Sequence, residues 1–170
     1  DYEKRGLIAL LTALDKHYYT SLWQDVLSKR AQRSILKALV GYEIDALNIK
    51  LILRLKQEGA PPEEIDKYLV LPPHELTDAM LKAMITAEDT RSAINMIHRT
   101  VYGKILLEAL PQVEAQGLRV AEKVLDEIHL KICRWLALTK FFSIAPVLSY
   151  IYLKENEMKN LQAIIRLKAD

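Results

Sequence analysis

The stretch Ile44-Asp45-Ala46-Leu47-Asn48-Ile49-Lys50-Leu51-Ile52-Leu53-Arg54-Leu55-Lys56 decides the fold. It lies in a segment, Ala31 to Glu58, whose apolar residues fall in two rows. Leu36, Val40, Ile44, Leu47, Leu51 and Leu55 form one stripe on a helical wheel. Ile35, Leu39, Tyr42, Ala46, Ile49 and Leu53 form a second on the opposite side. A helix that is apolar on two faces lies between neighbours. Glu43, Lys50, Arg54 and Gln57 make a narrow polar stripe between the two, and this is predicted to be the exposed edge.

Part of the stretch occurs twice. Asn48-Ile-Lys-Leu-Ile-Leu-Arg-Leu-Lys56 matches Asn160-Leu-Gln-Ala-Ile-Ile-Arg-Leu-Lys168 at five of nine positions. Upstream, Glu43 aligns with Glu155 and Asp45 with Glu157, and Leu14-Asp15 aligns with Leu125-Asp126. A repeat this long points to duplicated helical subdomains and not to a short-period solenoid. In each copy a carboxylate stands three residues before the Asn, Asp45 with Asn48 and Glu157 with Asn160. Three residues apart on a helix is one face. Both pairs are expected to be structural, fixing the packing of one helix on another. The polar-stripe residues Glu43, Lys50 and Arg54, with Glu155 and Arg166 from the second copy, are the candidate interface residues.

The rest of the chain agrees with an all-α fold. Its 170 residues are 51% hydrophobic and 27% charged, with only 5 Gly and 6 Pro. No segment alternates as a strand should. Leu7–Ser28 reads as one helix or a broken pair, and Ala31–Glu58 stops at Gly59-Ala60-Pro61-Pro62. Short helices are predicted from Pro62 and over His74–Ile85. Thr86-Ala87-Glu88-Asp89 has capping-box spacing and should open another. Tyr102–Gln116, Leu118–Phe142 and Pro146–Lys168 complete the set. This gives a unit over residues 1–60, connecting short helices over 61–116, and a second unit over 117–170.

Composition narrows the function. The net charge is +2, with both signs mixed along the chain. No basic block stands out, so nucleic acid is not an expected partner. The single Cys133 has no internal disulfide partner. The chain shows no signal-peptide pattern; it starts Asp1-Tyr2-Glu3 with no initiator Met and is expected to be a piece of a longer protein. Trp135–Leu153 is an apolar window close to spanning length, but Lys140 and Pro146 lie inside it. Two buried helices are expected there.

Chemistry-bearing patterns are sparse. His129 and Cys133 stand four apart, a spacing that could share a metal, but zinc needs further ligands and no second His/Cys pair exists. A structural His and a buried thiol are expected. Asp126-Glu127-Ile128-His129 resembles one carboxylate-x-x-His element of di-iron bundles, which need two. No Gly-rich phosphate loop and no Gly-x-Ser-x-Gly elbow is present. No catalytic residue, cofactor or metal is therefore assigned. Tyr18, Tyr19 and Trp23 cluster near the first helix, as packing or as an anchor for a partner.

The residues from Ile44 to Lys56, followed by Gly59 and Pro62-Glu63-Glu64-Ile65, resemble the C subunit of archaeal-type (A-type or V/A-type) rotary ATPases and its relative, the d subunit of vacuolar ATPases. Pro146 to Ile165 is similar to the closing helix of that family, and Thr100-Val101-Tyr102-Gly103 also fits. The resemblance implies a funnel of three similar all-helical subdomains, of which this chain would be the C-terminal half. It implies a non-catalytic central-stalk subunit of a proton- or sodium-translocating ATPase or ATP synthase. Its implied partners are the central-shaft subunits and the membrane rotor ring. It would be peripheral, held through protein contacts at the cytoplasmic face. A generic helical adaptor that binds a partner helix is the alternative.

Overall fold

A computed structural model describes residues 2–28 and 33–169, with side chains described at 10–28, 34–162 and 164–166. The described residues form eight helices and no strand: α1 (Tyr2–Ser28), α2 (Arg33–Gln57), α3 (Pro62–Tyr68), α4 (Asp78–Thr86), α5 (Thr90–Met96), α6 (Val101–Gln116), α7 (Leu118–Thr139) and α8 (Ala145–Ala169). α1 is one continuous helix. The first two residues of the expected Ala31–Glu58 helix lie outside the described residues.

α2 is the central element and takes part in all three apolar clusters. Leu36, Val40, Ile44 and Leu47 meet Trp23 and Val26 of α1. Ala46, Ile49, Ile52, Leu53 and Leu55 enter the main core with α3 to α7. Ile35 and Leu39 close on Cys133 and Leu136 of α7 and Ala145 of α8. Ile44, Ile49 and Ile52 have no exposed surface. Each such side chain contributes about 1.5–3 kcal/mol by leaving water. The helix is buried on both sides, as its two stripes require.

The ends of the short helices follow local capping. The Thr77 side chain accepts from the Met80 amide and starts α4, four residues later than the expected start at His74. Asp89, not Thr86, caps α5, accepting from the Ser92 amide at 2.7 Å. Thr86 ends α4 instead, its hydroxyl donating to the Lys82 carbonyl at 3.0 Å. Thr100 caps α6: its hydroxyl accepts from the Gly103 amide at 3.1 Å and donates to the Ile97 carbonyl at 2.8 Å. Gly103 is required there, because a Cβ would lie 1.9 Å from the Ile97 carbonyl oxygen. Gly117, at φ 86°, ends α6 and leads into α7.

α7 and α8 form an antiparallel hairpin. The turn comes after Thr139, three residues before the expected end at Phe142. The turn splits the apolar Trp135–Leu153 window between two helices. Its expected burial is only partial, because Trp135, Leu138, Phe141, Phe142, Val147, Tyr150 and Ile151 are exposed. Among the described residues no helix is long and apolar enough to cross a membrane.

Candidate functional site

The repeated segment on α2 is a row of ties to other elements. Asn48 is completely buried and holds Val70 through both of its polar atoms. Its Nδ2 donates to the Val70 carbonyl at 2.9 Å, and its Oδ1 accepts from the Val70 amide at 2.9 Å. Asp45, also completely buried, holds the next part of the same loop. Oδ1 accepts from the His74 amide at 2.8 Å, while Oδ2 accepts from Glu75 at 2.6 Å and Leu76 at 3.3 Å. The two side chains do not pair with each other; each satisfies backbone groups of the α3–α4 connection. Pro72 and Pro73 explain the need: two residues without N–H groups interrupt local hydrogen bonding, and the amides that follow find a carboxylate.

Burial pushes the Asp45 carboxyl up to about 6, and the nearby Glu75 carboxylate adds to this, against the lowering effect of the three amides. His74 lies directly over Gly41, where a Cβ would come within 2.4 Å of its ring, and packs edge-on to Tyr42 with ring centres 4.9 Å apart. Burial lowers the His74 pKa. Glu75 in turn accepts from the Val101 amide at 3.1 Å, and buried Tyr102 donates to the Tyr42 carbonyl at 3.1 Å. The Thr100-Val101-Tyr102-Gly103 segment therefore ties α6 to α2 and to the same loop.

The end of the stretch does similar work. The Arg54 guanidinium donates to Glu122 of α7, and Leu55 is in the core. Lys56 donates to the Ile85 carbonyl at 2.8 Å and to the Ala87 carbonyl, closing the C-terminal end of α4. A cation there also meets the negative end of the helix dipole.

The polar stripe of α2 is the exposed edge expected from the wheel at Arg54 and Gln57, whereas Glu43 and Lys50 are partly covered by neighbouring helices. Glu43 accepts from the Tyr19 hydroxyl of α1 at 2.8 Å and the Tyr152 hydroxyl of α8 at 2.7 Å. One carboxylate thus joins three helices. Burial, then the adjacent Glu43 charge, raises the pKa of both phenols, so both remain donors. Lys50 pairs with Asp126 at 2.5 Å, beside the Arg54–Glu122 pair. These two pairs are partly solvated and are worth about 0–1 kcal/mol each. Gln57 is exposed, and so is Arg54 beside its Glu122 partner. A cavity of about 160 Å³ lies along this seam, bordered by Tyr19, Glu43, Lys50, Asp126, His129 and Tyr152.

The second copy of the motif has different surroundings. Glu157 is exposed and pairs with Lys154 one turn earlier at 2.7 Å. Asn160 is exposed on the groove between α7 and α8. The expectation of a buried packing pair therefore applies to Asp45 and Asn48 and not to Glu157 and Asn160. Glu155 borders the cavity and is exposed, as is Arg166. The side chain of Lys168 lies outside the described residues. Leu14 and Leu125 also differ: Leu14 is exposed on α1, whereas Leu125 is buried between α7 and the core.

The remaining candidates pack as structural groups. The His129 Nε2 is 3.5 Å from the Cys133 sulfur, and its ring lies edge-on to Tyr152 with centres 4.8 Å apart. Burial lowers the His129 pKa and pushes the Cys133 thiol up to about 12. A thiol held protonated is neither a nucleophile nor a metal ligand. Among the described residues no group of three or more His, Cys, Asp or Glu side chains is placed to hold a metal ion. Of the aromatic cluster, Trp23 is buried with Lys37 over its ring, Tyr19 is tied to Glu43, and Tyr18 is exposed.

Sequence reasoning missed Tyr152, Lys56 and the loop from Val70 to Leu76. The signal for the loop was present: a buried Asp and Asn on a two-faced helix must find backbone partners, and a segment with two prolines has amides to offer.

Similarity to known proteins runs the length of the chain. The ATP synthase (C/AC39) subunit family matches residues 1–170. The A-type ATP synthase C subunit of Methanocaldococcus jannaschii is 34% identical over 166 residues, covering 97% of this chain and 42% of that protein. Its counterpart in Methanobrevibacter smithii is 32% identical over 172 residues, covering 99% of this chain and 45% of its own length. That of Thermococcus gammatolerans is 36% identical over 162 residues, covering 94% and 42%. The chain thus spans less than half the length of these curated relatives. No solved structure matches it. Matched along its whole length and built of helices and loops without a strand among its described residues, the chain belongs to the ATP synthase (C/AC39) subunit family.

Proposed function

We propose that this chain is part of a non-catalytic central-stalk subunit that couples the rotor shaft to the membrane rotor ring of an ion-translocating ATPase or ATP synthase. The observation that carries the reading is the family match over residues 1–170. The internal construction supports it. A coupling element must pass on torque without bending. Here α2 is packed on both sides and tied through Asp45, Asn48, Arg54, Lys56 and Glu43 to five other elements. Buried side chains with satisfied polar groups resist local opening.

The same reading takes residues 1–60 and 117–170 as successive helical units joined by 61–116, in a funnel of three such units. The chain is then the C-terminal half of the whole protein. The shaft subunits dock at one end and the ring at the other. The protein is peripheral at the cytoplasmic face and is held by protein contacts. Glu43, Lys50 and Arg54 serve the seam between units, while exposed Glu155 and Arg166 are free to meet a neighbour.

The test is a pull-down of the full-length protein against purified shaft subunits and against the ring, at low and at raised salt. Retention of both without added nucleotide is expected, weakening with salt because exposed charges are screened beyond about 8–10 Å. Failure to retain either at low salt overturns the reading. It would leave a helical adaptor, for which the exposed Met158, Leu161, Ile164 and Ile165 of α8 offer an apolar face.

A further inference from the structure

The tip of the α7–α8 hairpin combines two features. The first is charge of one sign. From Ile128 to Lys154 there are 27 residues without an Asp or Glu, although the whole chain has 22 of them. The same span carries Lys131, Arg134 and Lys140, all exposed; Lys154 at its end is paired with Glu157 and is not one of this set. The second is exposed aromatic and aliphatic surface. Phe142 is 100% exposed, Leu138 80%, Phe141 68% and Trp135 60%. Phe141 and Phe142 pack edge-to-face on each other, with centres 5.3 Å apart.

The two features share one surface. Lys131, Arg134, Trp135 and Leu138 are spaced to lie along the outer face of α7. Val147, Tyr150 and Ile151 lie likewise along α8 and end at the Lys154–Glu157 pair. The inner faces are used for packing: Cys133, Leu136 and Ala145 close on Ile35 and Leu39 of α2.

Exposed apolar patches mark a docking surface, and the charge decides the occupant. Trp, Tyr and Phe beside Lys and Arg, without acids, is the combination that seats a peripheral protein at a lipid–water interface. The rings enter the headgroup level, and the cations meet anionic headgroups. The exposed apolar surface further along α8 differs, because Glu155 and Glu157 lie within it. We propose that the α7–α8 tip is a lipid-facing surface that seats on an anionic membrane interface. The inference does not rest on the shaft-and-ring reading, and vesicles alone test it.

The chain has two tryptophans, buried Trp23 and exposed Trp135. In a Trp23→Phe background Trp135 reports on the tip. The chain is titrated with vesicles of phosphatidylcholine, with and without about one-third phosphatidylserine. The expected result is a blue shift of Trp135 emission and co-sedimentation with the anionic vesicles only, lost in high salt. Each cation at such a surface is worth about fivefold, so Arg134→Gln with Lys140→Gln should weaken binding roughly 25-fold. Phe141→Ser with Phe142→Ser should weaken it about tenfold or more, with unchanged helical melting because both side chains are exposed. Three results overturn the proposal. One is no binding to anionic vesicles at low salt. Another is binding that the Phe and cation variants leave unchanged. The third is a chain that self-associates through Phe141 and Phe142, or binds the ring protein through them, without binding vesicles.

Discussion

Replacing Asp45 by Asn keeps the shape of a completely buried side chain and removes its charge, so it isolates one opposition of forces. Three amide donors favour the carboxylate, whereas burial and Glu75 disfavour it, and burial prevails, placing the folded-state pKa at about 6 against 3.8 for the free group. Asp45 therefore takes up a proton more readily in the folded chain than in the unfolded one. A raised folded pKa means stability that is fully present below about 3.8 and lost as pH rises through about 6. A shift of about two units, at about 1.4 kcal/mol each, amounts to roughly 3 kcal/mol. Asn does not titrate, and its amide turns an N–H₂ towards one of the three donors, a cost of about 1–3 kcal/mol at every pH. The natural chain should therefore be the more stable of the two near pH 4. That advantage should shrink by roughly 3 kcal/mol by pH 7, and it should shrink, not grow, because the charge on Asp45 is the costly form. In a chain of this size the change corresponds to about 6–12 °C in the difference between the two melting temperatures. Urea unfolding of both proteins at intervals between pH 4 and 7 measures it. Taking the difference cancels the other carboxylates, among them Asp89, which its bonds to Ser92 pull the opposite way. A difference that is flat with pH, or that widens as pH rises, would refute the reasoning: the three amides would then outweigh burial.

Asn48→Ala leaves both backbone groups of Val70 without partners and should cost about 1–3 kcal/mol for each, whereas exposed Asn160→Ala should stay within about 0.5 kcal/mol of the parent; calorimetric melting of the two proteins gives the comparison. Gly103→Ala forces a Cβ against the Ile97 carbonyl at the start of α6 and should destabilise by about 1–3 kcal/mol or more, read as an earlier urea midpoint. Glu43→Gln and Tyr152→Phe should be non-additive in a double-mutant cycle by about 0.5–3 kcal/mol, since the two groups are bonded at 2.7 Å; additive losses would show that α8 is held to α2 by packing alone.

The helices were legible because apolar periodicity reports burial, and burial is what holds most of them. The double stripe of α2 led correctly to a helix enclosed by neighbours, and Gly117 ended α6 where expected. Boundaries set by a single side chain were harder. Thr86 and Asp89 both offer a capping oxygen within one helical turn, and the sequence carries no measure of which reaches an amide first. The answer came from α4, which continues through Ile85 to bury Leu81, Met84 and Ile85 and so takes up Thr86. His74 and Glu75 read as helical, but Asp45 claims their amides and holds them outside the helix, which begins after Thr77. The polar stripe was only half legible for a related reason: Arg54 and Gln57 are exposed, but Glu43 and Lys50 are partly covered. A wheel shows which residues are polar, not whether the next helix answers them, and α7 answers Lys50 and Arg54 with Asp126 and Glu122.

The repeated motif shows most clearly how a residue's role depends on its neighbours. Five identical residues in nine, on two long helices of one chain, suggest the same role twice, yet the roles here diverge. α2 has α1 on one side, α7 on the other, and the α3–α4 loop laid over Asp45 and Asn48. α8 packs on α7 and reaches α2 at its N-terminal end and through Tyr152, and at Asn160 it faces solvent. An Asn on a helix is inexpensive when solvated, and when buried it stabilises only if both of its polar atoms are matched. The same residue therefore suits both places, but only in one does it hold the fold together. The part of the motif legible from sequence is its helical frame, which is a property of the segment itself. What each polar residue does is a property of what lies against it, and that is written in the loop from Val70 to Leu76, far from the motif in the chain.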